Sequence, residues 1–455
     1  MTQPKATYTQ LHIGLGSFHR AHQAVYLQAL FDQGDTSWQI VGGNIRPDMA
    51  EVLTAIKAQG GYTLETVTPK GERTYQYIES IKYVVHYDAE LEGLTTWAVD
   101  PATRIISFTV TEAGYYLDGN DDLDASFDDI ASDLSGRTCC TIYGALARLL
   151  EARRVAEAGP VTLLNCDNLR CNGQKFTRGL KQFLTAKGMT ELLAWVEENT
   201  TSPDSMVDRI TPRPNDEVRE RVLAATGRDD GAALMGESFI QWVVEDHFIA
   251  GRPAWETVGV EMVKDVMPYE EAKIRILNAS HSCIAWAGAL KGYDYIHQGT
   301  LDPEIRQLAY DYVTDTVIPA LTPCPLDLED YRDVVLDRFG NPNIQDTNQR
   351  VAMDGYSKLP GFLVPTLRDC IAQGRDFGAL ANVFGLFLKF LQALKNDEIR
   401  FEYQDQAMDL ESFERIVTAQ DPIEALVNEA LLFQECAGDE QLFAALKTAY
   451  QRLPV

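Results

Sequence analysis

Basic side chains are scarce in this 455-residue chain: 40 Lys plus Arg stand against 67 Asp plus Glu, a net charge of −27 at pH 7. Nucleic-acid phosphates are held by clustered Lys and Arg, so a field this negative excludes DNA and RNA as partners. Anionic membrane surfaces are excluded on the same ground. Long apolar runs are lacking too. Stretches such as Ser282–Leu290 and Phe384–Leu394 fall short of the roughly 18 residues a membrane helix needs. Residues 1–10 hold no apolar leader core, so a soluble, unexported, cytoplasmic protein is expected. The eight cysteines form no CxxC pair and no His stands at finger-like spacing, which points to reduced thiols, mostly in the core, and to no metal. Internal repeats, low-complexity tracts and Gly/Ser linkers are absent as well.

The remaining composition, 45% hydrophobic and 24% charged, is that of a chain able to bury a core. Its first part alternates short apolar runs with helical patterns, the rhythm of parallel βαβ units. Leu11–Gly14, Gln39–Ile45, Arg104–Thr111 and Val161–Asn165 read as strands, with Arg20–Phe31 and Thr141–Ala158 as helices. After about residue 262 the rhythm becomes helix after helix, beginning at Pro268 with Glu270 and Glu271 in a favourable first turn. The fold class expected is α/β, a Rossmann-type dinucleotide-binding domain over 1–262 followed by a mainly α-helical domain over 263–455.

Two glycines, Gly14 and Gly16, directly follow the first strand and precede a helix. In a dinucleotide fold this turn lets the backbone approach a pyrophosphate at the helix N-terminus. The third glycine of GxGxxG is missing, since its place is taken by His19, and an ordinary tight turn with packed histidines is the alternative. The acid expected to accept the adenosine ribose hydroxyls is Asp48, after the second strand; Asp35 has better spacing but precedes that strand. Arg46 could instead meet a 2′-phosphate, so NAD is preferred over NADP without excluding it.

In the second domain, Lys273, Asn278 and His281 interrupt a core-like helix. At about 100° per residue, Asn278 lies about 140° and His281 about 80° from Lys273, one broad side. A catalytic reading makes Lys273 a base, a role for which a lysine's ordinary pKa of about 10.4 must fall. Asn278 would then donate to the reacting oxygen and His281 would orient the lysine or a hydroxyl. The plainer alternative is a solvated helix edge carrying a Glu270–Lys273 ion pair.

Six segments in order, Gly14–His22 (GLGSFHRAH), Thr109–Tyr115 (TVTEAGY), Cys166–Gly173 (CDNLRCNG), Met206–Pro212 (MVDRITP), Gln241–Asp246 (QWVVED) and Lys273–His281 (KIRILNASH), resemble the polyol-specific long-chain dehydrogenases, the mannitol dehydrogenase family. The resemblance implies metal-independent, NAD-dependent oxidation of a polyol to a ketose. D-arabinitol to D-xylulose is the first expectation, with D-mannitol to D-fructose and uronate reduction as alternatives. A non-catalytic NAD-binding sensor is the competing class. It implies Lys273 as base, Asn278 and Asn168 on the reacting oxygen with Asn172 as the alternative to Asn168, and His281 as partner. Asp208, Arg350, Lys358 and His281 are implied to bind the polyol, and Glu270 to relay the proton to solvent. Cofactor contacts are implied at Gly14, Gly16, Ser17, Phe18, His19, Arg20, Asp48, Thr111 and Glu112, with Arg20 a candidate cation for the pyrophosphate. A monomer is expected, a dimer being the alternative.

Overall fold

Strands form over Tyr8–Ile13 (β1), Trp38–Gly43 (β2), Tyr62–Val67 (β3), Arg73–Ile78 (β4), Ile81–Val85 (β5), Thr103–Phe108 (β6), Val161–Asn165 (β7), Thr200–Thr201 (β8), Ser205–Asp208 (β9), Leu234–Glu237 (β10), Gln241–Glu245 (β11) and Glu261–Val263 (β12). The computed structural model describes residues 6–453. It divides the chain into two units, one holding the residues up to Thr68 with Arg73–Met267, the other Pro69–Glu72 with Pro268 onward.

In the first unit six strands make a parallel sheet in the order β5-β2-β1-β6-β7-β8. Covered strands of this kind read as apolar runs, and every residue of β2 and β7 is buried. The order reverses direction at β1, the switch point where open α/β sheets bind ligands at their carboxyl ends. Register places Ile13 beside Gly43 and Phe108, and Phe108 beside Asn165, so the loops after β1, β2, β6 and β7 leave one edge of the sheet together. Two three-stranded sheets, β10-β3-β4 and β12-β11-β9, complete the unit; their short, mixed strands were not among the sequence expectations.

Arg153, on the helix Ile142–Val155, is fully buried. Its guanidinium donates to the carbonyls of Ala98 (2.6 Å), Thr103 (2.9 Å), Ala158 (3.0 Å) and Gly159 (2.8 Å), tying that helix to the chain leading into β6 and β7. The helix expected over Arg20–Phe31 is instead two, Ser17–Ala21 and Gln23–Asp32, broken at His22 (φ −125°, ψ −88°). His22 donates from Nε2 to the Gln241 carbonyl at 2.8 Å, and that contact ties the break to β11.

The second unit is built around Ala279–Leu290, buried along nearly all of its length and packed against Gly378–Lys395 and Asn348–Ala352. Trp286 meets Phe387 at 4.7 Å between ring centroids, and its indole N–H donates to the Ala352 carbonyl at 3.2 Å. Three π-helical turns punctuate this unit, at Lys273–Asn278, Tyr312–Val317 and Leu359–Leu363. Such turns are uncommon and collect at functional sites. Two of the three start on or directly after residues that the sequence marked, Lys273 and Lys358. Cys166, Cys283, Cys370 and Cys436 are buried, but Cys139, Cys140, Cys171 and Cys324 are half-buried, fewer in the core than expected; none of the eight is in a disulfide. Among the described residues no helix is long and apolar enough to cross a membrane, and no three His, Cys, Asp or Glu side chains converge as a metal would require.

Candidate active site

The turn after β1 contains two glycines with different reasons to be glycine. Gly14 has φ +91°, and a Cβ there would overlap the Thr109 carbonyl oxygen of the β6 loop. Gly16 has an ordinary φ of −83°, and a Cβ would meet only Gly14 O, at 3.9 Å. Nothing in the protein itself requires the missing side chain at Gly16. Close approach of a ligand would, as a dinucleotide pyrophosphate does at this position of such a turn. Gly14, Gly16, Ser17 and Phe18 are all partly accessible.

His19 and Arg20 are not. His19 is fully buried and stacks on His12 of β1, ring centroids 3.4 Å apart, while burial drives the His12 pKa down to about 3 and His19 well below its usual value. Arg20 is fully buried too, its guanidinium donating to the Ala232 carbonyl at 2.7 Å with Ser17 Oγ at 3.4 Å. The expectation of Arg20 as a cation for the pyrophosphate is therefore corrected: the carbonyl of Ala232, ahead of β10, has taken that charge into the core. Through side chains, neither His19 nor Arg20 reaches a dinucleotide.

The loop after β2 is the one that the sequence marked for the ribose end. Asn44 accepts the Leu15 N–H of the glycine turn at 2.7 Å and offers its amide to Asp48, 3.3 Å from Oδ1, so one buried asparagine links the two loops. Asp48 is exposed. Arg46 turns away, bonded through Nη2 to Tyr116 Oη and Asp129 Oδ2, each at 2.8 Å, and through Nε to the Cys140 carbonyl at 3.2 Å. Asp129 was not singled out in the sequence, because only the fold brings it to Arg46.

After β7, Asn168 is exposed whereas Asn172 is fully buried. The Asn172 amide donates to the carbonyls of Asp167 (3.0 Å) and Ser205 (2.8 Å) and accepts the Ser205 N–H (3.0 Å). Asn172 therefore holds β7 and β9 together, which leaves Asn168 as the candidate of the pair. Asp208 ends β9 and is buried, and Arg209 donates to the carbonyls of Glu237 (2.9 Å) and Ala21 (2.6 Å), so these two are no surface ion pair.

Asp167, also unmarked in the sequence, is 6% exposed, and burial lifts its carboxyl from 3.8 to about 6 against hydrogen bonds from Val110, Thr111 and Tyr115. The folded chain thus retains a proton between about pH 4 and 6 that the unfolded chain has released, and stability from this group falls as pH rises through that window. Asp167→Asn is expected to gain stability relative to wild type between pH 4 and 7. Urea midpoints at the two ends measure it; a pH-independent difference would contradict the assignment.

In the second unit Glu270 and Lys273 are buried, 5% and 6% exposed, which removes the solvated-edge alternative. Lys273 opens the π-helical turn and Asn278 closes it, with Ala279 N–H donating to Ile274 O five residues back. A turn closed this way holds more than four residues, so Lys273 and Asn278 lie within about 90° of one another rather than about 140°. The far side of the turn is pinned by Arg275, bonded to Glu271 (2.6 Å) and Asp369 (2.5 Å). His281 stacks on Phe339 with centroids 4.3 Å apart, and burial lowers its pKa, so it is neutral at neutral pH.

Asp346 gathers the rest. Its Oδ2 lies 3.3 Å from His281 Nε2, out of hydrogen-bond alignment, and its two oxygens accept Arg350 Nε (2.7 Å) and Nη2 (2.5 Å). Despite burial, the Arg350 guanidinium bonded to both oxygens holds the Asp346 carboxyl well below the usual carboxylate range. Lys358 donates to the Val351 carbonyl at 2.8 Å, and burial brings its pKa down to about 8. Asp346, which was not singled out in the sequence, thus links His281 and Arg350, while Lys358 is held by the Val351 carbonyl.

Two family models divide the chain between them: the Mannitol dehydrogenase Rossmann domain matches residues 9–257 and the Mannitol dehydrogenase C-terminal domain residues 265–454. This chain belongs to the mannitol dehydrogenase family. It is accordingly an oxidoreductase whose first unit is built to take a nicotinamide dinucleotide. A Ralstonia nicotianae protein named D-arabinitol 4-dehydrogenase is 56% identical over 447 residues, covering 97% of this chain and 96% of its own length. A Klebsiella pneumoniae protein of the same name is 50% identical over 441 residues, covering 97% of each. Among solved structures, the Pseudomonas fluorescens mannitol 2-dehydrogenase in ternary complex with NAD and D-mannitol is 33% identical, with a TM-score of 0.82 over 99% of this chain and 92% of that one.

Proposed function

We propose that this chain oxidises D-arabinitol to D-xylulose with NAD as the hydride acceptor. The observation that carries the substrate is the extent of likeness to the two D-arabinitol 4-dehydrogenases, half or more of all residues over nearly the full length. The cofactor preference rests on the β2 loop. Asp48 is exposed where a ribose diol needs an acceptor, and Arg46, the one cation there suited to a 2′-phosphate, is bonded to Asp129 and Tyr116.

Bound NAD supplies the hydride acceptor. The chain supplies the rest. Lys273 takes the proton of the alcohol being oxidised, and Asn278 and Asn168 donate amide N–H groups to its oxygen as negative charge develops. Glu270, one turn before Lys273, passes the proton on toward solvent. A polyol presents several similar hydroxyls, so register must be fixed by donors and acceptors set along it. Neutral His281, the Arg350 guanidinium and the Lys358 amine are the groups of the second unit suited to this. The test is a panel of C5 and C6 polyols followed by NADH or NADPH absorbance. D-arabinitol with NAD is expected to give the highest kcat/KM; a higher value for D-mannitol, or for NADP, would overturn the assignment.

A further inference from the structure

Thr111, in the loop after β6, has φ +66° and ψ 164°. That region is essentially reserved for glycine, and a β-branched residue enters it only where its surroundings impose it. The imposing group is Asp167, from the loop after the neighbouring strand β7. Its Oδ1 accepts the N–H groups of Val110 (3.0 Å) and Thr111 (2.8 Å), and its Oδ2 accepts the Tyr115 hydroxyl (3.0 Å). Asp167 is itself fixed from behind, its carbonyl accepting the buried Asn172 amide. A buried carboxyl is thus bound to loop backbone and to the Tyr115 hydroxyl, while Thr111, Glu112 and Asn168 are exposed.

Position in the sheet says what this arrangement faces. β1 is the switch point, and β2, whose loop carries Asp48, lies on one side of it. β6 and β7 lie on the other, the half of a doubly wound sheet that takes the second mononucleotide of a dinucleotide. We propose that Asp167 is a positioning residue: it imposes the strained Thr111 turn and fixes Asn168 beside it, so that the backbone of residues 110–112 receives the nicotinamide half of the cofactor. This rests on the dinucleotide-dependent function proposed above. The clamp needs the oxygens rather than their charge. If Oδ2 carries a proton, it donates to the Tyr115 oxygen and Oδ1 still accepts both N–H groups.

ADP-ribose, which lacks the nicotinamide, separates this role from a general loss of structure. By calorimetry, Asp167→Ala is expected to weaken NADH binding by about tenfold or more while ADP-ribose affinity stays within about twofold. Asp167→Asn should restore NADH affinity to within about threefold of wild type, because it keeps an acceptor at Oδ1 and an amide able to donate to Tyr115. Thr111→Gly keeps the clamp but frees the turn, so it should weaken NADH alone without lowering the melting temperature, and it serves if Asp167→Ala does not fold. Equal losses for both ligands, unchanged NADH binding, or an Asn variant as weak as Ala would overturn the proposal. Wild-type protein that binds ADP-ribose and NADH yet turns over no polyol would leave the clamp standing and sink the function instead.

Discussion

Lys273→Met is expected to lower turnover of D-arabinitol by ~10²–10⁴ at neutral pH while leaving NADH affinity within about threefold. Methionine is chosen because the position is 6% exposed among Ala272, Ile276 and Leu277, and an apolar chain of similar length keeps that packing. What it removes is the amine proposed to take the alcohol proton. Because Lys273 lies on the second unit and the glycine turn on the first, cofactor binding and proton transfer are separable in this chain. The smaller Lys273→Ala leaves room for an added primary amine, and recovery of rate with methylamine would identify the missing group as a base. Turnover within about tenfold of wild type in the Met variant would remove Lys273 from the mechanism, since positioned proton transfer contributes at least about 10².

The π-helical turn shows where reading by periodicity stops. Lys273, Asn278 and His281 were visible as polar interruptions of an apolar helix, but α-helical geometry set the lysine and asparagine too far apart. The insertion that brings them closer has no local signature in KIRILN; it depends on Arg275 reaching Glu271 and Asp369, and on Tyr312 donating to the Arg275 carbonyl at 2.9 Å. The central strands were legible because burial on both faces forces continuous apolar residues, as in Val161–Asn165. β3, β4 and β9 to β12 were not, being mixed in direction and closed by partners up to about 170 residues away, as when β10 pairs β3.

The same limit applies to charge. Arg20 and Asp208 were marked from motifs that say nothing of burial, and the fold gave both to the interior. Conversely Asp129, Asp167 and Asp346 resemble any of the 67 acidic residues in a strongly negative chain. Each acquires meaning only from its partners: Arg46 for Asp129, the 110–111 backbone for Asp167, His281 and Arg350 for Asp346. The global charge therefore describes the surface, and the acids that matter are those the fold has taken out of it.

Of the two glycines of the first turn, Gly16 is the one where a substitution is expected to remove dinucleotide binding without touching the fold. Gly16→Val introduces a side chain where the backbone is ordinary and the nearest atom, Gly14 O, is 3.9 Å from a Cβ. The Cβ is therefore accommodated by the folded protein, and the melting temperature is expected to shift by no more than about 2 °C. A pyrophosphate lying against that backbone does not accommodate it, so NADH affinity should fall by about 100-fold or more, a loss of at least about 2.7 kcal/mol. Gly14→Ala should do the opposite. Its Cβ overlaps the Thr109 carbonyl oxygen and its φ of +91° is strained for any L side chain, so the chain should lose stability before any ligand is added. Calorimetric binding and thermal unfolding on both variants separate the two roles. A Gly16→Val protein that melts like wild type and binds NADH equally well would mean that the pyrophosphate does not pass over this turn, and the cofactor half of the functional reading would fall with it.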